Sequence, residues 1–212
     1  MYDSELTGEY LGWHSHNLRL ANCKISGTQA LCYAHDLVIE NCTMADDADL
    51  CFEYSSVQAD FDGLEKEASD PKVKLLLLCN PHNPAGRVWT RQELMRIGKI
   101  CFRNDVWVVA NEIHCELVFP GHFYTPFASV SKEFLMNSVT CISPSKAFNL
   151  AGLQKANIIS ANEYVRMKID KAININEVCD VNPFGVEALI AAYNKGEEWL
   201  PIRAFYFLNI GF

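Results

Sequence analysis

Positive charge is scarce at one end of this chain, and proline is missing from it altogether. Of 18 Lys and Arg in 212 residues, only Arg19 and Lys24 fall in residues 1–59, against nine acidic side chains, a local net of −7. All eight prolines lie from Pro71 onward, where 16 basic and 17 acidic residues nearly cancel. A boundary near Asp60 therefore fits better than one continuous domain. Other absences narrow the class. No apolar run approaches the ~18 residues of a membrane-spanning helix; Leu75–Cys79 is typical of the longest clean ones. The opening Met1-Tyr2-Asp3-Ser4 has neither the basic start nor the apolar core of a secretory signal. A net charge of −8 disfavours a nucleic-acid backbone as partner. Cysteine is plentiful at nine, yet no C-x-x-C pair occurs. The cysteines read as small buried hydrophobes, not a disulfide framework or a zinc site, and a reducing, cytoplasmic location is expected. With 50% hydrophobic and 21% charged residues the chain is globular, neither disordered nor fibrous.

What is present in the first segment is a repeat. Residues 17–25 (NLRLANCKI) lie over residues 36–44 (DLVIENCTM) at an offset of 19, keeping Leu18/Leu37, Leu20/Ile39, Asn22/Asn41 and Cys23/Cys42 in phase. Apolar and polar residues largely alternate, so each unit is expected to be one short strand with one buried face. A period near 20 with an Asn-Cys turn fits one coil of a parallel β-helix, in which stacked Asn and Cys side chains form ladders. The alternative on periodicity alone is two similar hairpin strands of an ordinary sheet. The wording from Leu6-Thr7-Gly8-Glu9-Tyr10 through Phe52-Glu53-Tyr54 also resembles a bacterial β-helix family of unknown function (DUF3737-like) over residues 1–59. His14, His16 and His35 match no metal spacing and read as solvated loop histidines; no metal is expected.

From Asp60 the texture alternates between helix and strand. Val73–Cys79 is apolar apart from Lys74, as in a strand covered on both faces. Thr90 with Glu93 forms a capping box for a helix whose apolar stripe is Leu94, Ile97 and Cys101. Val106–Ala110 and Ser138–Ile142 read as buried strands and Ala156–Ile159 as a fourth. Asn182 and Pro183 read as N-cap and first position of a helix ending before Gly196. Three polar clusters follow three successive strands: Asn80-Pro81-His82-Asn83-Pro84-Ala85-Gly86, Asn111-Glu112-Ile113-His114, and Ser143-Pro144-Ser145-Lys146. In open α/β sheets a site forms beyond the carboxyl ends of the strands.

The ordered set CNPHNPAGRVWT, NEIHCELVFPGH and SPSKAFNLAGLQ resembles fold-type I pyridoxal-phosphate enzymes over about residues 60–200. Within them it is similar to the MalY/PatB-like cystathionine β-lyase branch of the class I/II aminotransferase superfamily. The resemblance implies pyridoxal 5'-phosphate as cofactor and α,β-elimination of a small sulfur amino acid as the parent reaction, with transamination as the neighbouring chemistry. It places the Schiff-base lysine and α-proton shuttle at Lys146, phosphate-binding hydroxyls at Ser143 and Ser145, an amide for the cofactor's phenolic oxygen at Asn83, and a histidine near the ring at His114. Complete enzymes of this kind are typically dimers. Three departures are visible. Asn111 stands where the family carries an aspartate that keeps the pyridine nitrogen protonated, so carbanion stabilisation is expected to be weakened. The N-terminal cofactor contacts are replaced by the repeat segment. The small domain is absent, and the tail 201–212 no longer follows the family.

The expected fold class is thus α/β: a partial fold-type I large domain with a parallel or mixed sheet over 60–200, preceded by a β-helix-like all-β segment over 1–59. The expected function is a pyridoxal-phosphate C–S β-lyase or aminotransferase, weakly active or inactive in this truncated form. The alternatives are a non-catalytic fusion whose first segment is a structural or binding surface, and a join of two unrelated reading frames around Gln58–Asp62.

Overall fold

The computed structural model describes residues 1–28, 30–32, 34–40, 42–45, 57–58, 61–83, 85–178 and 180–201. Asn41, the stretch 46–56, Pro84 and the tail from 202 onward, all used in the sequence reading, lie outside that set. The chain divides into two compact units: Met1–Lys74 with His82–Arg87, and Leu75–Pro81 with Val88–Phe212.

In the first unit, β1 (Glu5–Thr7), β2 (Arg19–Ala21), β3 (Lys24–Ser26), β4 (Leu37–Glu40), β5 (Thr43–Met44) and β6 (Val57–Gln58) precede helix α1 (Phe61–Ala68). They form two three-stranded parallel sheets, β1-β3-β5 and β2-β4-β6. Glu5 pairs with Lys24, Lys24 with Thr43 and Arg19 with Val38, each one 19-residue period along. The repeat therefore sets the register. Where one strand per repeat is expected from sequence, the structure has two. Asn22 takes a left-handed backbone at φ 54° and turns the chain between β2 and β3, a conformation Asn tolerates because its short amide bonds locally.

The same corners recur a period apart. Asp3 and Asn22 are left-handed, as are Gly12 and Leu31, and Asn17 and Asp36. Gly27, at φ 103°, passes so close to Gly8 that a Cβ would stand 2.5 Å from the Gly8 carbonyl oxygen, so only glycine fits there. Side chains stack in the same period. Asn22 Nδ2 donates to Asp3 Oδ1 at 2.8 Å, the hydroxyls of Thr7 and Ser26 are 2.7 Å apart, and Cys23 N–H donates to Cys42 Sγ at 3.3 Å. The exposed His16 and His35 rings stack with centroids 5.0 Å apart. The core of this unit is Leu20, Cys23, Ile25, Ala30, Leu31, Ala34 and Leu37, with Leu6, Leu18 and Ile39 packed against it.

In the second unit, β7 (Leu75–Cys79), α2 (Arg91–Arg103), β8 (Trp107–Asn111), α3 (Lys132–Met136), β9 (Ser138–Ile142), α4 (Pro144–Ala147), β10 (Asn157–Ile159), α5 (Glu163–Ile175) and α6 (Pro183–Lys195) follow in order. The sheet order is β10-β9-β8-β7; β7, β8 and β9 are mutually parallel and β10 is antiparallel. Thr90 caps α2 in a complete capping box with Glu93, and Leu94, Ile97, Gly98, Ile100 and Cys101 are its buried residues. Asn182 and Pro183 open α6, and Gly196 closes it.

The expectation that β7 is covered on both faces is corrected. Leu78 is 5% exposed, but Leu75 and Leu77 are 51% and 71% exposed. Side chains alternate across a strand, and β7 is the edge of its sheet. The Leu78 side faces the core with Val108 and Ala110, while the Leu77 side has no helix over it among the described residues. No helix among these residues is long and apolar enough to cross a membrane. Seven cysteines among them are free thiols.

Candidate active site at the carboxyl ends of the parallel strands

Because β7, β8 and β9 run parallel and in register, Cys79, Asn111 and Cys141 stand side by side. The chain leaving each strand therefore empties onto one edge of the sheet. Two backbone bonds bind these exits together: Asn80 N–H donates to the Asn111 carbonyl at 2.9 Å, and Glu112 N–H to the Cys141 carbonyl at 2.8 Å.

Below the edge lies a buried polar network that the sequence reading did not single out. The Glu112 carboxylate, 1% exposed, accepts from Asn80 Nδ2 at 3.1 Å, from Phe127 N–H at 2.8 Å and from the Tyr124 hydroxyl. Asn80, fully buried, also donates to the Thr125 carbonyl at 2.8 Å, while its Oδ1 has no partner. Burial raises the Glu112 pKa above the ordinary carboxylate value, opposed by the three hydrogen bonds. Burial and the Glu112 charge push the Tyr124 phenol up in turn. The available signal was a polar residue directly after each buried strand, since both Asn80 and Glu112 stand inside the motifs already quoted.

His114 follows on the same loop and is half-buried. Burial, and then the Lys146 ammonium, lower its pKa, so the imidazole is neutral at pH 7. The two residues come from different strand exits, and both exits empty onto the same sheet edge. Replacing Lys146 with Met is expected to move the His114 titration up toward the ordinary histidine value; NMR of the imidazole protons measures it, and an unmoved curve would show no coupling.

Lys146 is exposed on the four-residue α4, whose first turn is built by Ser143. Ser143, 4% exposed, donates its hydroxyl proton to the Lys155 carbonyl, and its Oγ accepts from Ser145 N–H at 3.1 Å. A hydroxyl has one proton, so in the 2.8 Å contact between Ser143 and Ser145 the donor must be Ser145. Ser143 is committed to capping and to anchoring the segment that leads into β10. Ser145, half-buried, is the hydroxyl that can turn outward. Asn111 Oδ1 accepts weakly from Ile113 N–H at 3.4 Å, leaving its amide N–H group as the donor at that position.

Asn111, His114, Ser143, Ser145 and Lys146 thus share one edge of the second unit. Asn83 is carried by the first unit, exposed on a tight turn closed by His82 N–H to the Arg87 carbonyl at 2.7 Å. As a donor set, the shared edge offers a primary amine, a neutral imidazole, a hydroxyl and an amide. That set suits an aldehyde-bearing, phosphorylated aromatic ring: the amine to attach it, the hydroxyl and amide to orient it.

Comparison with known proteins divides the chain along similar lines. Residues 1–75 match the profile of a protein family of unknown function, DUF3737. The chain is 48% identical over 141 residues to the cystathionine beta-lyase PatB of Bacillus subtilis, covering 66% of this chain and 36% of that one. It is 32% identical over 148 residues to protein MalY of Escherichia coli, 69% and 37% of the two chains. Among solved structures, a PLP-bound putative aminotransferase from Clostridium difficile superposes with a TM-score of 0.68 at 35% identity, over 78% of this chain and 42% of that one. Cystalysin from Treponema denticola, which contains pyridoxal 5'-phosphate, gives 0.67 at 30% identity over 76% and 41%. The mixed α/β fold is therefore that of pyridoxal-phosphate enzymes of fold type I. The chain spans little more than a third of the length of the curated relatives it matches.

Proposed function

We propose that residues 60–200 are the central part of a pyridoxal-phosphate carbon–sulfur β-lyase or aminotransferase large domain. The observation that supports this most is the convergence of Lys146 and His114, from separate motifs, on the edge where the parallel strands end. The cofactor, when bound, supplies an electron sink for negative charge at the substrate α-carbon. The rest falls to side chains of this chain. Lys146 Nζ would hold the cofactor and would take the α-proton of a small sulfur amino acid. The neutral His114 orients the ring side and keeps a second positive charge away from Lys146. Ser145 would turn its hydroxyl to the phosphate, with Ser143 holding the turn. Asn111 offers a hydrogen bond but no charge to the ring nitrogen, which supports low activity.

In this reading residues 1–59 are β-helix-like coils and 201–212 a divergent tail, and the free thiols favour the cytoplasm. A second reading, in which the first segment acts as a non-catalytic structural or binding surface, draws on its 19-residue ladders. The test is direct. Pyridoxal phosphate added to the purified chain should give a visible absorbance band, and borohydride should fix the label on Lys146, located by peptide mass. Lys146→Ala should lose both. Chain loaded with the cofactor but not reduced, if it releases pyruvate from cystathionine, is a lyase. No specific label on Lys146 would refute the cofactor site.

A further inference from the structure

Cys23 and Cys42 are one 19-residue period apart, and the parallel pairing of β3 with β5 lays them side by side. Lys24 pairs with Thr43 directly after them, and Thr43 N–H donates to the Cys23 carbonyl at 2.8 Å. Neighbouring strands lie about 4.8 Å apart. The two Cα atoms therefore fall inside the roughly 4.4–6.8 Å that a disulfide spans. Both side chains also enter the same core: Cys23 belongs to the buried cluster of the first unit, and Cys42 packs against it. The Cys42 sulfur leans onto its neighbour's backbone, accepting from Cys23 N–H at 3.3 Å.

Neither thiol is held firmly where it is. Each donates to the carbonyl two residues before it, Cys23 Sγ to Ala21 and Cys42 Sγ to Glu40, both at 3.3 Å. A thiol is a weak donor, so turning either sulfur toward the other gives up little. The two differ in access. Cys23 is 2% exposed, whereas Cys42 is half-buried. One sulfur can be reached from solvent and the other lies behind it, as an attacking and a resolving cysteine require. Cys79 and Cys141 show the contrast. They end β7 and β9 with β8 between them, two strand spacings or about 9.6 Å apart, beyond the reach of a disulfide.

We propose that Cys23 and Cys42 are an oxidative modification site, where a small disulfide oxidant such as oxidised glutathione converts them into a disulfide stapling consecutive repeats. The Cys42 thiol loses its proton to water, and its thiolate attacks one sulfur of the oxidant. A Cys42–glutathione bond forms, the S–S bond of the oxidant breaks, and one glutathione leaves. Cys23 then gives up its proton and attacks the Cys42 sulfur, expelling the second glutathione. Two protein thiols are oxidised, and one small disulfide is reduced to two thiols. The closed loop restricts the unfolded chain, so opening of β2 to β5 becomes rarer. None of this depends on the pyridoxal-phosphate reading of the second unit.

The test uses the full chain, purified in the reduced state. Oxidised glutathione is added in mildly alkaline buffer, because burial raises the Cys42 thiol above its ordinary pKa. Remaining thiols are then alkylated, and peptide mass mapping locates the bonds. The expected result is a Cys23–Cys42 linkage that dithiothreitol returns to two thiols. Cys42→Ala should form no linkage at Cys23, and Cys23→Ala should accumulate glutathione on Cys42, which marks it as the attacking sulfur. Thermal melts check that both variants are folded. Amide hydrogen exchange over residues 17–44 should slow on oxidation and recover on reduction. Cys23 bonded elsewhere, or glutathione that stays on Cys42 in the wild type, overturns the proposal. So does a linkage that leaves exchange unchanged, or one that forms no faster in the folded chain than in urea.

Discussion

Replacing Glu112 with alanine will lower the stability of the second unit by about 3 kcal/mol, since each buried donor left without an acceptor costs about 1–3 kcal/mol. The substitution strands the Phe127 N–H and the Tyr124 hydroxyl, and leaves Asn80 with only the Thr125 carbonyl. Urea denaturation measures the loss as a lower midpoint. The more diagnostic variant is Glu112→Gln, which keeps an acceptor in place and removes the charge. The Glu112 pKa is raised in the folded chain, chiefly by burial. A carboxyl that binds its proton more tightly when folded stabilises the fold fully below the ordinary carboxylate value. That contribution is lost as pH rises through the raised value. The wild type should therefore lose stability with rising pH in that window, and Glu112→Gln should flatten the slope. Equal slopes in the two proteins would mean that Glu112 does not titrate as its burial implies.

Asn111→Asp is the second large effect, this time on chemistry. On the proposed reading, an aspartate at the end of β8 supplies the negative charge that Asn111 cannot. A hydrogen bond to a charged group is worth about 1.5–3 kcal/mol, and about 1.4 kcal/mol is a factor of ten in rate. The variant loaded with pyridoxal phosphate should release pyruvate from cystathionine roughly 10- to 100-fold faster than the loaded wild type. The aspartate can accept from Ile113 N–H as Asn111 does, so the strand end keeps its geometry. A variant that traps the cofactor on Lys146 as well as wild type yet gains no rate would show that ring charge is not what limits this site.

Much of the second unit is legible because its signals are local. Thr90 and Glu93 announce the start of α2 by themselves, and Asn182 with Pro183 does the same for α6. The short α3 passes unread, and so does the largely exposed α5, although Val165, Ile169 and Ile173 keep a helical spacing there. The first unit was legible through self-similarity, since a 19-residue offset in the sequence becomes the register of its parallel pairs. Its splitting into two strands per repeat was not legible, because that depends on left-handed corners such as Asn22.

The candidate site divides the same way. Lys146, His114, Asn111 and the two serines could be named from the order of motifs, because reactive side chains come in recognisable company. The Glu112 network could not, nor could the hydrogen bond from Trp199 to the α4 turn. Asn80 and Thr125 are 45 residues apart, and Ala147 and Trp199 are 52 apart. Contacts across such distances leave no periodicity to read. The scarcity of positive charge and proline in the first 59 residues marked a change of texture, and the sequence alone determined that much, together with the chemical identity of the groups near the site. Which of those groups meet, which are spent on holding a turn, and which face of β7 stays bare were decided by the tertiary structure. Burial, pairing and electrostatic coupling are properties of neighbours in space, and only the folded chain chooses them.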